Sequence, residues 1–338
     1  MKLKLFLFLT ITFLSICSFS QKRIPYTDYT YFAIKTKVDT IDFVVADTNL
    51  NVKKPILLFC QGSQPVPLFM DFDNNQIIPV SLNNFDVKKL NENYHTVVIS
   101  MPHTPVIVHK SHLNNQYNYI EDTTNQYSYS LDYLLADYSE NYVRRAHEVI
   151  RFLSKQKWVN TEKLVVMGHS QGARIAVDLA ASNKKITHLG LFGYNPYGRI
   201  DQNIRKARKN AELGLISWEE ADSIQKEEIE FYKMIQSPDS VSSHPSLVSW
   251  KSFSKSTLSN LTHLQIPVYI AYGTNDIGAD NCDLLPIYFL EQKKMNYSIK
   301  RYLNLEHNFF SVKPSGEVDY ENGKWFEVMN AFVDWTLR

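Results

Sequence analysis

Several stretches of the chain are apolar at consecutive positions rather than at every second one. Residues 56–60, 96–101, 163–167, 188–192, 268–272 and 298–303 each predict a strand by β-branched or apolar content, and several of the six show no alternation. Runs without alternation fit strands buried on both faces of a parallel sheet. Near the start, Ile41, Phe43 and Val45 fall at every second position, which predicts an antiparallel edge strand. Between the strands the period changes. Val143, Ala146, Ile150 and Leu153 share one helical face, with Ser139 placed to cap it. Residues 173–181 also predict a helix, and Trp325, Val328, Met329, Phe332 and Trp335 predict another at the C-terminal end. Strands alternating with helices imply an α/β fold with a doubly wound, mostly parallel sheet.

One stretch breaks this rhythm. Residues 196–264 should be a short crossover but are far longer. Residues 204–235 within it predict charged helix, and Ser217-Trp218-Glu219-Glu220 has the form of a capping box. Residues 237–259 are Ser- and Pro-rich, with Pro238 and Pro245 as breakers. The whole reads as a helical cap inserted over about 197–264.

The first twenty residues follow different rules. Lys2 and Lys4 precede an apolar run over 5–19, and Ser18 and Ser20 stand three and one before Gln21. This is the pattern of a signal peptide cut after residue 20, leaving one domain over 21–338. The run is shorter than the ~20 residues a spanning helix needs. Cys17 ends a stretch similar to a bacterial lipobox, but Ile16 stands where a small residue is wanted. The expected location is therefore outside the cytoplasm, secreted or periplasmic. No other apolar run reaches the length of a membrane span.

Composition narrows the field little. Hydrophobic residues make up 44 % and charged residues 21 %, ordinary values for a folded domain. Lys and Arg number 36 against 35 acids, a formal charge of +1. Loss of Lys2 and Lys4 with the leader changes this to −1. Neither value suits a nucleic-acid binder, which concentrates positive charge.

The chemistry concentrates in Gly168-His169-Ser170-Gln171-Gly172. It follows a predicted strand and opens a predicted helix, the context that gives G-x-S-x-G its meaning. A sharp turn there holds the serine hydroxyl above the sheet, and the helix N-terminus favours developing negative charge. Further along, a strand runs into Gly273-Thr274-Asn275-Asp276, and Leu305-Glu306-His307-Asn308-Phe309 follows the last predicted strand. His307 is the only histidine after Asp276. From about residue 30 to the end, the sequence resembles the α/β-hydrolase superfamily.

The resemblance implies a nucleophile, acid and histidine in that chain order: Ser170, Asp276 and His307, with Asp280 as the reserve acid. Ser170 would attack, His307 would take its proton, and Asp276 would fix the imidazole tautomer. The resemblance also implies an oxyanion hole of backbone N–H groups from Ser63, or its neighbour Gln64, and Gln171. Many relatives have His-Gly where this chain has Gln61-Gly62. A backbone donor survives that change. With the family's sheet order, Cys60 and Cys282 sit near strands three places apart, about 14 Å at the strand spacing of ~4.8 Å. Two free thiols are expected, since a disulfide needs Cα atoms within about 7 Å.

The implied function is a secreted serine hydrolase that cleaves a carboxylic ester through an acyl-enzyme, without metal or organic cofactor. Its expected partner is a small ester or short peptide, not nucleic acid. The alternatives are a prolyl-oligopeptidase-like serine peptidase and a non-catalytic binding protein of the same fold. Other signals are weaker. His109 and His112 form H-x-x-H but lack a third metal ligand nearby, which favours a solvated loop. His103 follows a strand end and reads as a loop position. Tyr117, Tyr119, Tyr127, Tyr129, Tyr133 and Tyr138 crowd one region. They read as a partly buried loop or as an aromatic wall for substrate.

Overall fold

The computed structural model describes residues 19–338. Of the expected leader, residues 1–18, with Cys17, lie outside the described residues. In chain order the strands are β1 (Phe19–Arg23), β2 (Thr30–Lys35), β3 (Thr40–Val45), β4 (Lys54–Cys60), β5 (Phe69–Asp71), β6 (Ile77–Pro79) and β7 (His95–Ile99). They continue as β8 (Ile107–His109), β9 (Val159–His169), β10 (His188–Phe192), β11 (Val268–Gly273), β12 (Tyr297–Tyr302), β13 (Phe310–Val312) and β14 (Val318–Gly323). The helices are α1 (Val87–Asn93), α2 (Leu131–Ala136), α3 (Ser139–Leu153), α4 (Gln171–Ser182), α5 (Arg199–Glu212) and α6 (Trp218–Gln236). After them come α7 (Pro238–Ser243), α8 (Leu247–Phe253), α9 (Leu258–His263), α10 (Leu285–Glu291) and α11 (Trp325–Thr336).

Nine strands form one sheet in the order β1-β2-β3-β7-β4-β9-β10-β11-β12. From β7 to β12 every pairing is parallel; β1, β2 and β3 add antiparallel strands at one side. The order jumps from β4 to β7 and back to β9, a doubly wound sheet with helices on both faces. The apolar runs follow from this. Ile56 and Leu58 join the core under α3 and α4, while Leu57 and Phe59 join the core under α11. A strand with two buried faces has no polar side to alternate.

Two sequence expectations need correction. The strand at 40–45 is not an edge: β2 and β1 lie outside it, and Ile41, Phe43, Val44 and Val45 are all buried. Ser139 does not cap α3. It is the helix's first residue, and its hydroxyl donates to Asp178 Oδ2 at 2.8 Å. The Ser139 N–H is satisfied by Ser252 Oγ of α8 instead (2.8 Å). The Ser- and Pro-rich stretch is helical in short pieces, α7, α8 and α9. Pro238 opens α7, where proline has no hydrogen bond to lose.

Between β10 and β11 lie α5 to α9. The charged stretch is two helices, α5 and α6, separated at residues 213–217, and Ser217 Oγ caps α6 by accepting the Glu220 N–H at 3.0 Å. Arg174 of α4 fastens this insertion to the sheet. Its guanidinium donates to the carbonyls of Asn195 (2.6 Å) and Lys255. No helix among the described residues is long and apolar enough to cross a membrane.

Candidate active site

The site forms where β9 turns into α4. Ser170 sits in this turn at φ 58°, ψ −125°, in the left-handed region that non-glycine residues avoid. Its N–H is held by the Phe192 carbonyl at 2.9 Å. Strain of this kind persists only where the surroundings over-determine the backbone. Close packing does so here. A Cβ on Gly172 would overlap the carbonyl oxygens of Cys60 and Gln61, so glycine lets α4 press against the end of β4. That contact sets the loop Gln61–Gln64 beside Ser170.

Asp276 and His307 come from the ends of β11 and β12, neighbours in the sheet. His307 Nδ1 and Asp276 Oδ2 are 2.7 Å apart. Asp276 is 4 % exposed, and its Oδ1 accepts the Gly278 N–H at 2.8 Å. Gly193, at φ 55°, leaves room for this pair; a side chain there would press on the His307 ring. Burial alone would raise the Asp276 carboxyl, but the bond and charge of His307 hold it below its ordinary value. Burial alone would lower His307; the Asp276 bond and charge, with Glu306, raise it above its ordinary value.

Ser170, His307, Ser63, Gln64 and Gln171 all line one cavity of about 480 Å³. Ser170 makes no hydrogen bond to His307 in this structure; catalytic bonds of this type commonly tighten only around substrate. The main-chain N–H groups of Ser63, Gln64 and Gln171 have no acceptor among the described residues. Asp280, the reserve acid, is not in the pair: its carboxylate meets Arg205 of α5.

His169, the variable position of the G-x-S-x-G, has a structural task that its sequence context gave no sign of. Its Nε2 lies 3.0 Å from the His307 carbonyl and its ring centroid 4.8 Å from that of His307. Burial first, then the nearby His307, pushes its pKa down to about 3. It is therefore a neutral prop that donates Nε2–H to the loop carrying His307.

Arg199 and Asp137 also escaped the sequence reading. Arg199 opens α5, stacks over Trp250 and Phe253 of α8, and donates to Ser249 Oγ (2.9 Å) and to Gln171 Oε1. Gln171 Nε2 in turn donates to Asp137 Oδ1 at 3.1 Å, which also accepts the Tyr142 hydroxyl at 2.8 Å. The side chain of the residue after Ser170 is thus held between a cap arginine and a buried carboxylate.

The remaining candidates disperse. His109 bonds Asp73 (2.8 Å) and Ser111 (2.7 Å), while His112 faces the Ile120 carbonyl, so the two do not share a site. His103 is exposed and lines neither this cavity nor its neighbour. Of the tyrosines, Tyr129 and Tyr133 line the Ser170 cavity and Tyr117 lines the neighbouring one.

The model of the dienelactone hydrolase family matches residues 115–336, which span Ser170, Asp276 and His307. The chain belongs to this family. It is a hydrolase of the α/β-hydrolase superfamily. Solved structures agree on the fold. A Klebsiella pneumoniae protein described as a dienelactone hydrolase is 11 % identical with a TM-score of 0.51, covering 95 % of this chain and 98 % of its own. The α/β hydrolase GrgF from Penicillium sp. sh18 is 11 % identical with a TM-score of 0.51, covering 90 % and 96 %. An acylaminoacyl peptidase solved with Z-Gly-Gly-Phe-chloromethyl ketone is 13 % identical at 0.51; it covers 93 % of this chain, which spans 41 % of its length. The acylaminoacyl peptidase of Pyrococcus horikoshii is similarly longer, the chain spanning 38 % of it. No curated protein matches the sequence.

Proposed function

We propose that the protein is an exported serine hydrolase that cleaves a carboxylic ester through Ser170, His307 and Asp276. The observation that carries this reading is the 2.7 Å Asp276–His307 bond facing the cavity that holds Ser170 at its strained turn. His307 accepts the Ser170 proton through Nε2 while Asp276 keeps the other nitrogen protonated. The hydroxyl oxygen attacks the acyl carbon, and the N–H groups of Gln171 and Ser63 receive the oxyanion. The leaving alcohol takes the proton from His307, and water, activated by the same histidine, releases the acid. The family's name carries a lactone, a cyclic ester, which supports ester over peptide as the scissile bond.

Export rests on the leader. Cleavage after Ser20 leaves Gln21, Lys22 and Arg23 paired with β2. N-terminal sequencing of the exported protein should begin at Gln21. Labelling with a fluorophosphonate probe tests the nucleophile: wild type should label and Ser170→Ala should not. Folded wild type that fails to label would overturn the serine mechanism.

A further inference from the structure

A second cavity of about 660 Å³ adjoins the Ser170 cavity, and Ser63 and Gln64 line both. A substrate that passes over this turn reaches from one into the other. The second cavity is distinctive in its lining. Phe59, Phe85 and Trp325 give it an aromatic floor beside the apolar side chains of Met70, Ile78 and Met101, and no Asp, Glu, Lys or Arg faces it. The histidine on its wall, His169, is neutral, as described above.

Its rim is made of amides. The side chains of Gln64, Asn83, Asn84 and Gln116 are exposed there, and none has a hydrogen-bond partner among the described residues. Tyr117 stands beside them, 59 % exposed. This rim is built, not loose. Asn114 Oδ1 accepts the N–H of Gln116 (2.9 Å) and of Asn118 (3.0 Å). The Tyr119 N–H donates to the Pro65 carbonyl at 2.9 Å, tying the tyrosine loop to the loop beside Ser170. Both loops hold a non-glycine residue at positive φ, Gln64 at 80° and Tyr117 at 61°.

The lining selects by chemistry. A phosphate or carboxylate would call for Arg or Lys, and there is none. An aliphatic chain would match the apolar lining but give the rim amides no donor or acceptor to bond. An amide offers donor and acceptor side by side, as a ligand rich in hydroxyls requires. Aromatic faces suit the C–H face of a sugar ring. We propose that this cavity binds an uncharged glycosyl group, so that the ester cleaved at Ser170 is an ester of a carbohydrate. The proposal rests on the serine-hydrolase reading. In the reaction Ser170 Oγ bonds the acyl carbon, the bond from that carbon to the sugar oxygen breaks, and the sugar oxygen leaves with the proton that His307 took from Ser170. Water then frees the acid.

Binding and turnover are measured separately. Ser170→Ala protein is titrated calorimetrically with unesterified neutral tetrasaccharides of xylose, glucose, mannose and galactose. At least one should bind, and Tyr117→Ala or the Asn83→Leu/Asn84→Leu pair should weaken it about tenfold, the loss of ~1.4 kcal/mol. Tyr127→Ala, outside both cavities, should bind as its parent does. In active enzyme, kcat/KM for the acetylated form of the bound sugar should exceed that for p-nitrophenyl octanoate and for an N-acetylated dipeptide ester. The Tyr117 and Asn83/Asn84 variants should lower the ratio. No tetrasaccharide bound, with p-nitrophenyl esters still cleaved, overturns the sugar subsite and leaves the serine mechanism standing. A preference for the octanoate or the dipeptide ester also overturns it. Sugar binding without fluorophosphonate labelling overturns the mechanism instead.

Discussion

At the scale of single residues, the Asp276–His307 pair fixes a pH dependence. Asp276 holds the His307 pKa above its ordinary ~6.5. A general base must be neutral, so p-nitrophenyl acetate turnover should rise with pH through a limb lying above about 6.5. A flat profile from about pH 5 to 9 would remove His307 as the base. The stability contribution runs the other way. The raised histidine stabilises the fold fully below about pH 6.5, and that contribution fades as pH climbs through its folded value. Asp276→Asn should lower kcat by about 10⁴-fold, because the tautomer is lost, and should move the remaining limb to lower pH. These positions were legible in the sequence because each lies in a local signature, and chain order ranked them. Arg199 and Asp137 were not legible. They meet Gln171 only after the chain has folded back from 28 residues downstream and 34 upstream.

At the scale of elements, the cap and the nucleophile turn are one mechanical unit. Arg199 at the start of α5 holds the Gln171 side chain, and the Gln171 N–H is a proposed oxyanion donor. Arg199→Ala should therefore lower kcat for p-nitrophenyl acetate by up to about a hundredfold, the cost of a ~1 Å misplacement and less than the ~10²–10³ of losing a donor outright. Lysine should not restore it, since one ammonium cannot reach Ser249 and Gln171 together while lying over Trp250. Should kcat be unchanged and only KM rise, Arg199 would be a binding residue and not a positioning one. Arg174→Ala removes two charge-assisted bonds, one to the Asn195 carbonyl just ahead of the cap and one to the Lys255 carbonyl within it, and should cost about 3 kcal/mol of stability, read by denaturant unfolding. Five of the six parallel strands were legible because burial on both faces leaves apolar runs; β12, YSIKRY at the sheet edge and mostly half-buried, was legible only from its place after β11. β1 and β2 were not, being partly polar, and neither was the β13–β14 hairpin, whose Pro314-Ser315-Gly316 turn was its one available signal.

At the scale of the whole molecule, the cysteines report whether the sheet opens as one body. Cys60 ends β4, Cys282 follows β11, and β9 and β10 lie between those strands. Both are free thiols, as the sheet order had implied from sequence. Both also belong to one core that runs from Phe32 to Phe289 under α3, α4 and α10. Burial pushes the Cys60 thiol up to about 12 and raises Cys282 well above its ordinary value, while the Cys282 thiol donates to the Tyr194 carbonyl at 3.1 Å. A thiol held protonated and out of solvent does not react. Ellman's reagent should therefore modify neither cysteine in native protein and both after denaturation. Non-reduced peptide mapping should yield no Cys60–Cys282 cross-link. With one shared core, residual native labelling of the two must proceed at one common rate, set by the same opening. If Cys282 instead reacted much faster than Cys60, β11 and β12, which present Asp276 and His307, would open separately from the half that carries Ser170. The candidate site would then straddle two cooperative units, and activity would fall before the Cys60 side of the core was lost.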